Sequence, residues 1–359
     1  SAVLPVGGEL PAKVAAAAAR RLGLAANAPA AMAAAANKLL MRRRLAAAAD
    51  AAVRQPRFEV FACGTAADVV ADRVSAPGGG GFPCVVKPLM LSGSRGVMRA
   101  DDRPSLAAAM ERLERLLADP AVRRPDPEAA SQLLVESFVA GPEFALEGLL
   151  TRGSLHVLAL FDKPDPLDGP TFEETLYVTP SRLAPADQRR IGEVVAAAAR
   201  ALGLETGPVH AELRWSRSDG APVLIELAAR PIGGLCARSL RFESGLSLED
   251  VVVRHALGGD DVPARIGGAS GVMMIPTPAR VPSALRAVDG VDAARAVSGV
   301  DDVVISVRVG ETLVPLPEGA SYTGFIFATG ETPGSVERAL RDAAACLRFT
   351  VAALAPVAR

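Results

Sequence analysis

The sequence predicts an α+β protein made of more than one unit, and three observations carry that reading. Short apolar runs come in pairs joined by glycine-rich or Asp-Gly turns, which is hairpin patterning. Between the pairs lie stretches of helical period, at 104–119, 185–202 and 333–347. The chain has 359 residues, 50% of them apolar and 22% charged, enough to bury a large core in two or three domains.

Taken in order, AVLPV at the start is strand-like, residues 11–22 form a helix that Gly23 ends, and 30–50 form a second helix with Lys38 and Arg42 on one face. FEVF (58–61) is a short strand, TAADVVADRV (65–74) a helix with Thr65 as N-cap, and APGGGG a loop. FPCVVKP (82–88) and VMRADD are strands joined by the turn LMLSGSRG, and Pro104 opens the helix 104–119. LLVESFV (133–139) begins a second block with strands EFALEGLLT, SLHVLALFDK, VHAELRWS and PVLIELAAR, and with the helix 185–202. After a helix at 247–257, Gly and Pro punctuate 258–282; the remainder alternates short strands with one amphipathic helix. These patterns divide the chain at 1–55, 56–133, 134–270 and 271–359, with no internal repeat.

The formal net charge is −1 and the pI about 6.4, with no block of one sign. Neither nucleic acid nor an anionic membrane is therefore an expected partner. The Ala-rich segments are broken by Lys and Arg every few residues, so no apolar span reaches membrane length. Four scattered cysteines without a CxxC suit reduced thiols and a cytoplasmic setting, and three separated histidines argue against zinc. The start at Ser1 has no signal-peptide pattern and reads as a truncated N-terminus.

The chemistry concentrates in three stretches. VHAELRW and PVLIELA flank a turn centred near Asp219-Gly220, and that register puts Glu212 opposite Glu226 on one face. Two facing carboxylates persist cheaply with a divalent cation between them, and oxygen ligands suit Mg²⁺ or Mn²⁺. A register one residue different would send the two carboxylates to opposite faces. The loop Ser92-Gly93-Ser94-Arg95-Gly96, after a strand ending in Lys87, allows backbone N–H groups to close on phosphate oxygens, although such turns also occur for geometry alone. In ESFVAGPE, Glu136 and Glu143 flank a Gly-Pro break that exposes backbone edges for a base, or that simply links two domains. GxxxxGK[ST], GxGxxG and GxSxG are all missing.

In this order and spacing, VVKP, GSRGV, VESFVAGPEF, HAEL and IELAARPIGG resemble the ATP-grasp superfamily, over roughly residues 12–260. Within it the chain is most similar to bacterial L-amino acid (dipeptide) ligases, whose small C-terminal domain the tail GVDDVVISVRVGETLVPLPEGASYTGFIFATGETPGSVERAL resembles. The resemblance implies two α+β subdomains clamping ATP (56–133 and 134–270), a truncated N-terminal α/β layer before them and a C-terminal α+β domain after them. It implies that Lys38 and Lys87 touch phosphates, that Ser92, Gly93, Ser94 and Gly96 belong to the phosphate-covering loop, and that Glu136, Phe138 and Val139 form the adenine hinge with Glu143 on the ribose. Glu212 and Glu226 would be the Mg²⁺ (or Mn²⁺) ligands, Arg230 would steady the transferred phosphoryl group, and Glu174, Tyr177, Gly233 and Gly234 would face the substrate. The implied activity is ATP-dependent joining of a carboxylate and an amine, both small molecules, through an acyl phosphate, with a homodimer allowed. Many superfamily members have Asn where this chain has Ala228, and some of these ligases have His where it has Tyr177. Other ATP-grasp chemistry on bicarbonate or formate, and nucleotide binding without turnover, are the alternative readings. His210 and Cys236 read as packed or supporting residues.

Overall fold

The structure, a computed structural model, describes residues 1–5, 7–48, 53–259 and 261–354. Three helices open the chain: α1 (Glu9–Arg21), α2 (Pro29–Ala36) and α3 (Lys38–Ala47). The single helix expected at 30–50 is broken because Asn37 is extended and its side chain caps α3, accepting from the Leu40 amide at 3.1 Å. Residues 2–5 form no strand, and among the described residues up to 57 there is none. Instead, the alanines Ala12, Ala31, Ala34 and Ala35 pack in one core with Ile191, Val195 and Leu227, so the three helices form a layer on the second sheet described below.

The first sheet has the order β1-β4-β2-β3. It is built from β1 (Phe58–Ala62), β2 (Cys84–Pro88), β3 (Met98–Ala100) and β4 (Gln132–Ser137), with α4 (Ala67–Ser75), α5 (Arg103–Ala118) and the short α6 (Pro120–Arg123) between. The apolar faces of α4 and α5 cover one side of it through Val70, Leu106, Met110 and Leu113. Asp102 caps α5 in a reciprocal pair with Ser105. Thr65 does not cap α4: Ala66 holds that position, and the Thr65 hydroxyl donates to the Ala62 carbonyl at 2.7 Å. The strand expected to open the second block, β4, is paired on both edges here, with β1 and β2. The crossover between the sheets is therefore the Phe138–Pro142 segment.

The second sheet has eight strands in the order β12-β14-β10-β7-β6-β5-β8-β9. They are β5 (Glu143–Thr151), β6 (Ser154–Lys163), β7 (Leu176–Thr179), β8 (Gly207–Ser216), β9 (Ala221–Ala228), β10 (Ala269–Ile275), β12 (Val300–Ile305) and β14 (Gly324–Gly330). Helices α7 (Pro185–Leu202), α8 (Leu248–Ala256), α9 (Val291–Arg295) and α10 (Pro333–Cys346) pack against it, and a small sheet orders β13 (Thr312–Leu313), β11 (Ser283–Asp289) and β15 (Arg348–Ala353). All seven residues of β10 are buried, as an interior strand requires, and it pairs with β7 on one side and β14 on the other. The sheet thus runs unbroken past residue 271, where the sequence patterning placed a boundary. No helix among the described residues is long and apolar enough to cross a membrane.

Candidate active site

A cleft of about 790 Å³ opens between the two sheets. Every site residue singled out from the sequence lines it except Gly96. Gly96 is instead packed between Pro88, Leu113 and Leu116 at φ +75°, where an added Cβ would stand 3.0–3.2 Å from those side chains. Its amide donates to the Pro317 carbonyl at 2.8 Å, so it anchors the Ser92–Gly96 loop rather than lining the cleft.

The floor is the β8–β9 hairpin. Its ladder runs regularly from Ser216↔Ala221 to Leu213↔Leu224, then shifts, and Glu212 faces Glu226. Ile225 is the extra residue, a β-bulge that brings both carboxylates to the cleft side. The carbonyl of this bulge is met by Arg42 Nη2 at 2.7 Å. Arg42, only 1% exposed, also bonds Glu136 at 2.6 and 3.2 Å, and so ties α3, β4 and β9 together.

Glu136 is held from both sides, since Lys87 Nζ lies 2.7 Å from its other oxygen. Burial alone would raise its carboxyl, but the charges of Arg42 and Lys87 outweigh that and bring it down to about 2. Its side chain therefore serves as counter-ion to the two cations, and the expected hinge follows it in the backbone of Phe138 and Val139. In that hinge the Phe138 amide donates to the Pro83 carbonyl at 3.0 Å, and the Val139 carbonyl accepts from Arg214 Nη1 at 3.0 Å. Lys38 Nζ donates to the Leu91 carbonyl at 2.9 Å and lies 3.3 Å from Glu226, between the loop and the floor.

A second ionic centre surrounds Lys163 at the end of β6. Its ammonium lies 2.6 Å from Glu143 and 3.2 Å from Glu212, and it also contacts Glu174. Ligand oxygens of these three carboxylates lie within 4.8 Å of one another, a donor set suited to a cation, and the lysine supplies that charge. The Tyr177 hydroxyl donates to Glu174 at 2.8 Å. Burial first, then the charge of Glu212, push Glu174 up to about 7 despite Lys163. Burial would raise Glu212 as well, but Lys163 and His210 hold it well below the usual carboxylate range.

Arg230 reaches the cleft from the loop after β9, and Glu9 of α1 holds it at 2.7–2.8 Å. Gly233 and Gly234 follow on the same wall, and Gly234 sits at φ +63° with its Cα side 3.2 Å from the Phe325 ring by the position an added Cβ would take. His210 and Cys236 are buried and also line the cleft. Sequence reasoning missed Lys163, Arg214 and Glu9. Arg214 was findable, because 210, 212 and 214 alternate onto one face of β8. Lys163 gave a weaker signal, a lysine closing the buried run VLALFD; Glu9 gave none.

Residues 80–239 match the model of an ATP-grasp domain, and residues 278–352 that of L-amino acid ligase C-terminal domain 2. The chain contains an ATP-grasp domain. It is 28% identical, over 275 residues, to an uncharacterized protein of Sinorhizobium fredii, covering 76% of this chain and 54% of that one. It is 31% identical over 155 residues to dapdiamide A synthase of Enterobacter agglomerans, covering 43% of this chain and 34% of that one. The chain thus spans about half, or less, of the length of these curated relatives. The solved L-amino acid ligase of Bacillus licheniformis aligns with a TM-score of 0.78 and 28% identity, over 94% of this chain and 78% of that one.

Proposed function

We propose that this chain is an ATP-dependent carboxylate–amine ligase acting on at least one amino acid and releasing ADP and phosphate. The observation that carries the reading is the convergence of Lys38, Lys87, Arg230 and the Glu212–Glu226 pair on one cleft. At about 790 Å³ it is of a size to take a nucleotide and a small substrate together.

A carboxylate oxygen of the first substrate attacks the γ-phosphorus, the bond to the β,γ-bridging oxygen breaks, and ADP leaves with its electron pair. The amine nitrogen of the second substrate then attacks the acyl carbon, phosphate departs, and the nitrogen loses a proton to form the amide. The protein positions the reactants and neutralises phosphoryl charge. Lys87 and Lys38, with the backbone of residues 92–94, take the phosphates. Arg230 steadies the transferred group, which requires it to exchange or share Glu9. Two facing carboxylates fit a divalent ion; Glu212 and Glu226 would hold Mg²⁺ or Mn²⁺, which lowers the repulsion between phosphate and carboxylate when bound. Glu143, with Phe138 and Val139, meets the nucleoside. Glu174 and Tyr177 face the ammonium of an amino acid.

One feature favours nucleotide binding without turnover: Glu226 and Arg230 already hold ion-pair partners, Lys38 and Glu9. The test is phosphate release from Mg·ATP with pools of amino acids. Release that depends on a particular pair supports the ligase, bicarbonate-dependent release supports another ATP-grasp chemistry, and tight ATP binding without release supports the binding protein.

A further inference from the structure

We propose that Glu147, on β5 and outside the cleft wall, is a positioning residue that holds the two halves of this site in one frame. The inference rests on the ligase reading for its kinetic consequence, but not for its structural one. Glu147 has no exposed surface. An ionisable group buried this deeply costs several kcal/mol unless its partners compensate, and among the described residues no lysine or arginine forms an ion pair with it. Its partners are instead two parts of the site wall. Both carboxylate oxygens accept from the Ile232 amide, at 3.1 and 3.2 Å. The His210 Nδ1, directly opposite on the β5–β8 ladder, lies 3.1 Å from Oε2.

The Ile232 bond matters because it adds to a short set of restraints on this segment, the Pro231 carbonyl accepting from Arg230 Nη1 at 2.9 Å and the Gly233 carbonyl from the Cys236 amide at 3.4 Å. Pro231 has no N–H to donate, and Gly233 and Gly234 are the residues least restricted in φ and ψ. One buried acceptor therefore ties the middle of the stretch that carries Arg230 at one end and the glycine wall at the other to β5. The histidine bond matters because the carboxylate at Nδ1 orients the ring and turns Nε2 toward Glu212, 3.8 Å away. The carboxylate of the floor and the arginine loop are thus registered through the same side chain.

The experiment uses Glu147→Gln and His210→Asn, with three readouts: thermal unfolding, Mn²⁺ binding by electron paramagnetic resonance in the presence of ADP, and kcat and KM for amino-acid-dependent phosphate release. Gln keeps an acceptor for Ile232 but no longer matches both partners. Folded Glu147→Gln should lose about 10–100-fold in kcat with KM for ATP changed little. His210→Asn, which leaves the Glu147–Ile232 bond in place, should weaken Mn²⁺ binding about tenfold or more. Wild-type kcat in Glu147→Gln together with wild-type Mn²⁺ affinity in His210→Asn would overturn the proposal. Absence of amino-acid-dependent release from the wild type would overturn the ligase reading alone, since Mn²⁺ affinity would still decide the role of His210 and Glu147.

Discussion

Glu212 faces Glu226 only because Ile225 is an extra residue in β9. Carried on from Leu213↔Leu224 without it, the ladder would pair Glu212 with Ile225 and turn Glu226 to the opposite face. If these carboxylates hold a divalent ion, Glu226→Ala should cut ATP turnover by about 10²-fold or more. Circular dichroism should show an unchanged fold. Full turnover in the variant would remove Glu226 from the metal site.

Arg42 joins α3 to both sheets through Glu136 and the Ile225 carbonyl. Arg42→Met leaves that carbonyl without its donor and Glu136 with Lys87 alone. The expected loss in urea denaturation is roughly 3 kcal/mol, in the range for breaking a buried pair from one side. A change within error would show that the bridge contributes nothing net.

The same carboxylate gives stability a pH dependence with a definite sign. Glu136 titrates near 2 in the folded protein against 4.5 ordinarily, so between those values the unfolded chain binds more protons. Its contribution is present above about pH 4.5 and is lost as pH falls toward 2, a term of roughly 3 kcal/mol in all. Urea midpoints measured at several pH values across this window should fall less steeply in Glu136→Gln than in the wild type.

Lys163 is the cation amid Glu143, Glu174 and Glu212. In Lys163→Met the three acids repel one another, and the melting temperature at neutral pH should drop. Added Mg²⁺ or Mn²⁺ should then restore several degrees, more than it adds to the wild type. Equal effects of the ion on both proteins would mean that the trio does not act as a cation cage.

Arg112 holds Glu318 at 2.5 and 2.7 Å, and the Glu318 carbonyl accepts from Arg95 of the Ser92–Gly96 loop at 2.7 Å. Both charged partners are substantially exposed, so Arg112→Ala should cost less than about 1 kcal/mol of global stability. Hydrogen exchange should nevertheless speed up locally at Gly96, whose amide depends on the adjacent Pro317 carbonyl. Unchanged exchange there would separate the salt bridge from the loop.

Much of the fold was legible in local patterning. The helices at 185–202 and 333–347 and the hairpin turn at 217–220 appear within a residue or two of where apolar period and Asp-Gly chemistry put them. The site residues on one strand face were legible for the same reason, because alternation places Glu212 on the same side as its neighbours two residues away. Strand partnership was not. β4 reads as the start of a new block but lies inside the first sheet, since pairing on both edges is decided by β1 and β2 rather than by its own sequence.

By itself, then, the sequence determined most of the strands and helices from residue 58 onward, and which residue types converge: lysines before a glycine-rich loop, carboxylates on a hairpin, an arginine before two glycines. Only the tertiary structure decided how the charges pair. Lys163 went to three acids from three other segments, Arg230 to Glu9 and Arg42 to Glu136. A buried charge takes the opposite charge that lies within a few ångströms, and nothing local to the chain measures a distance across 221 positions, as between Glu9 and Arg230.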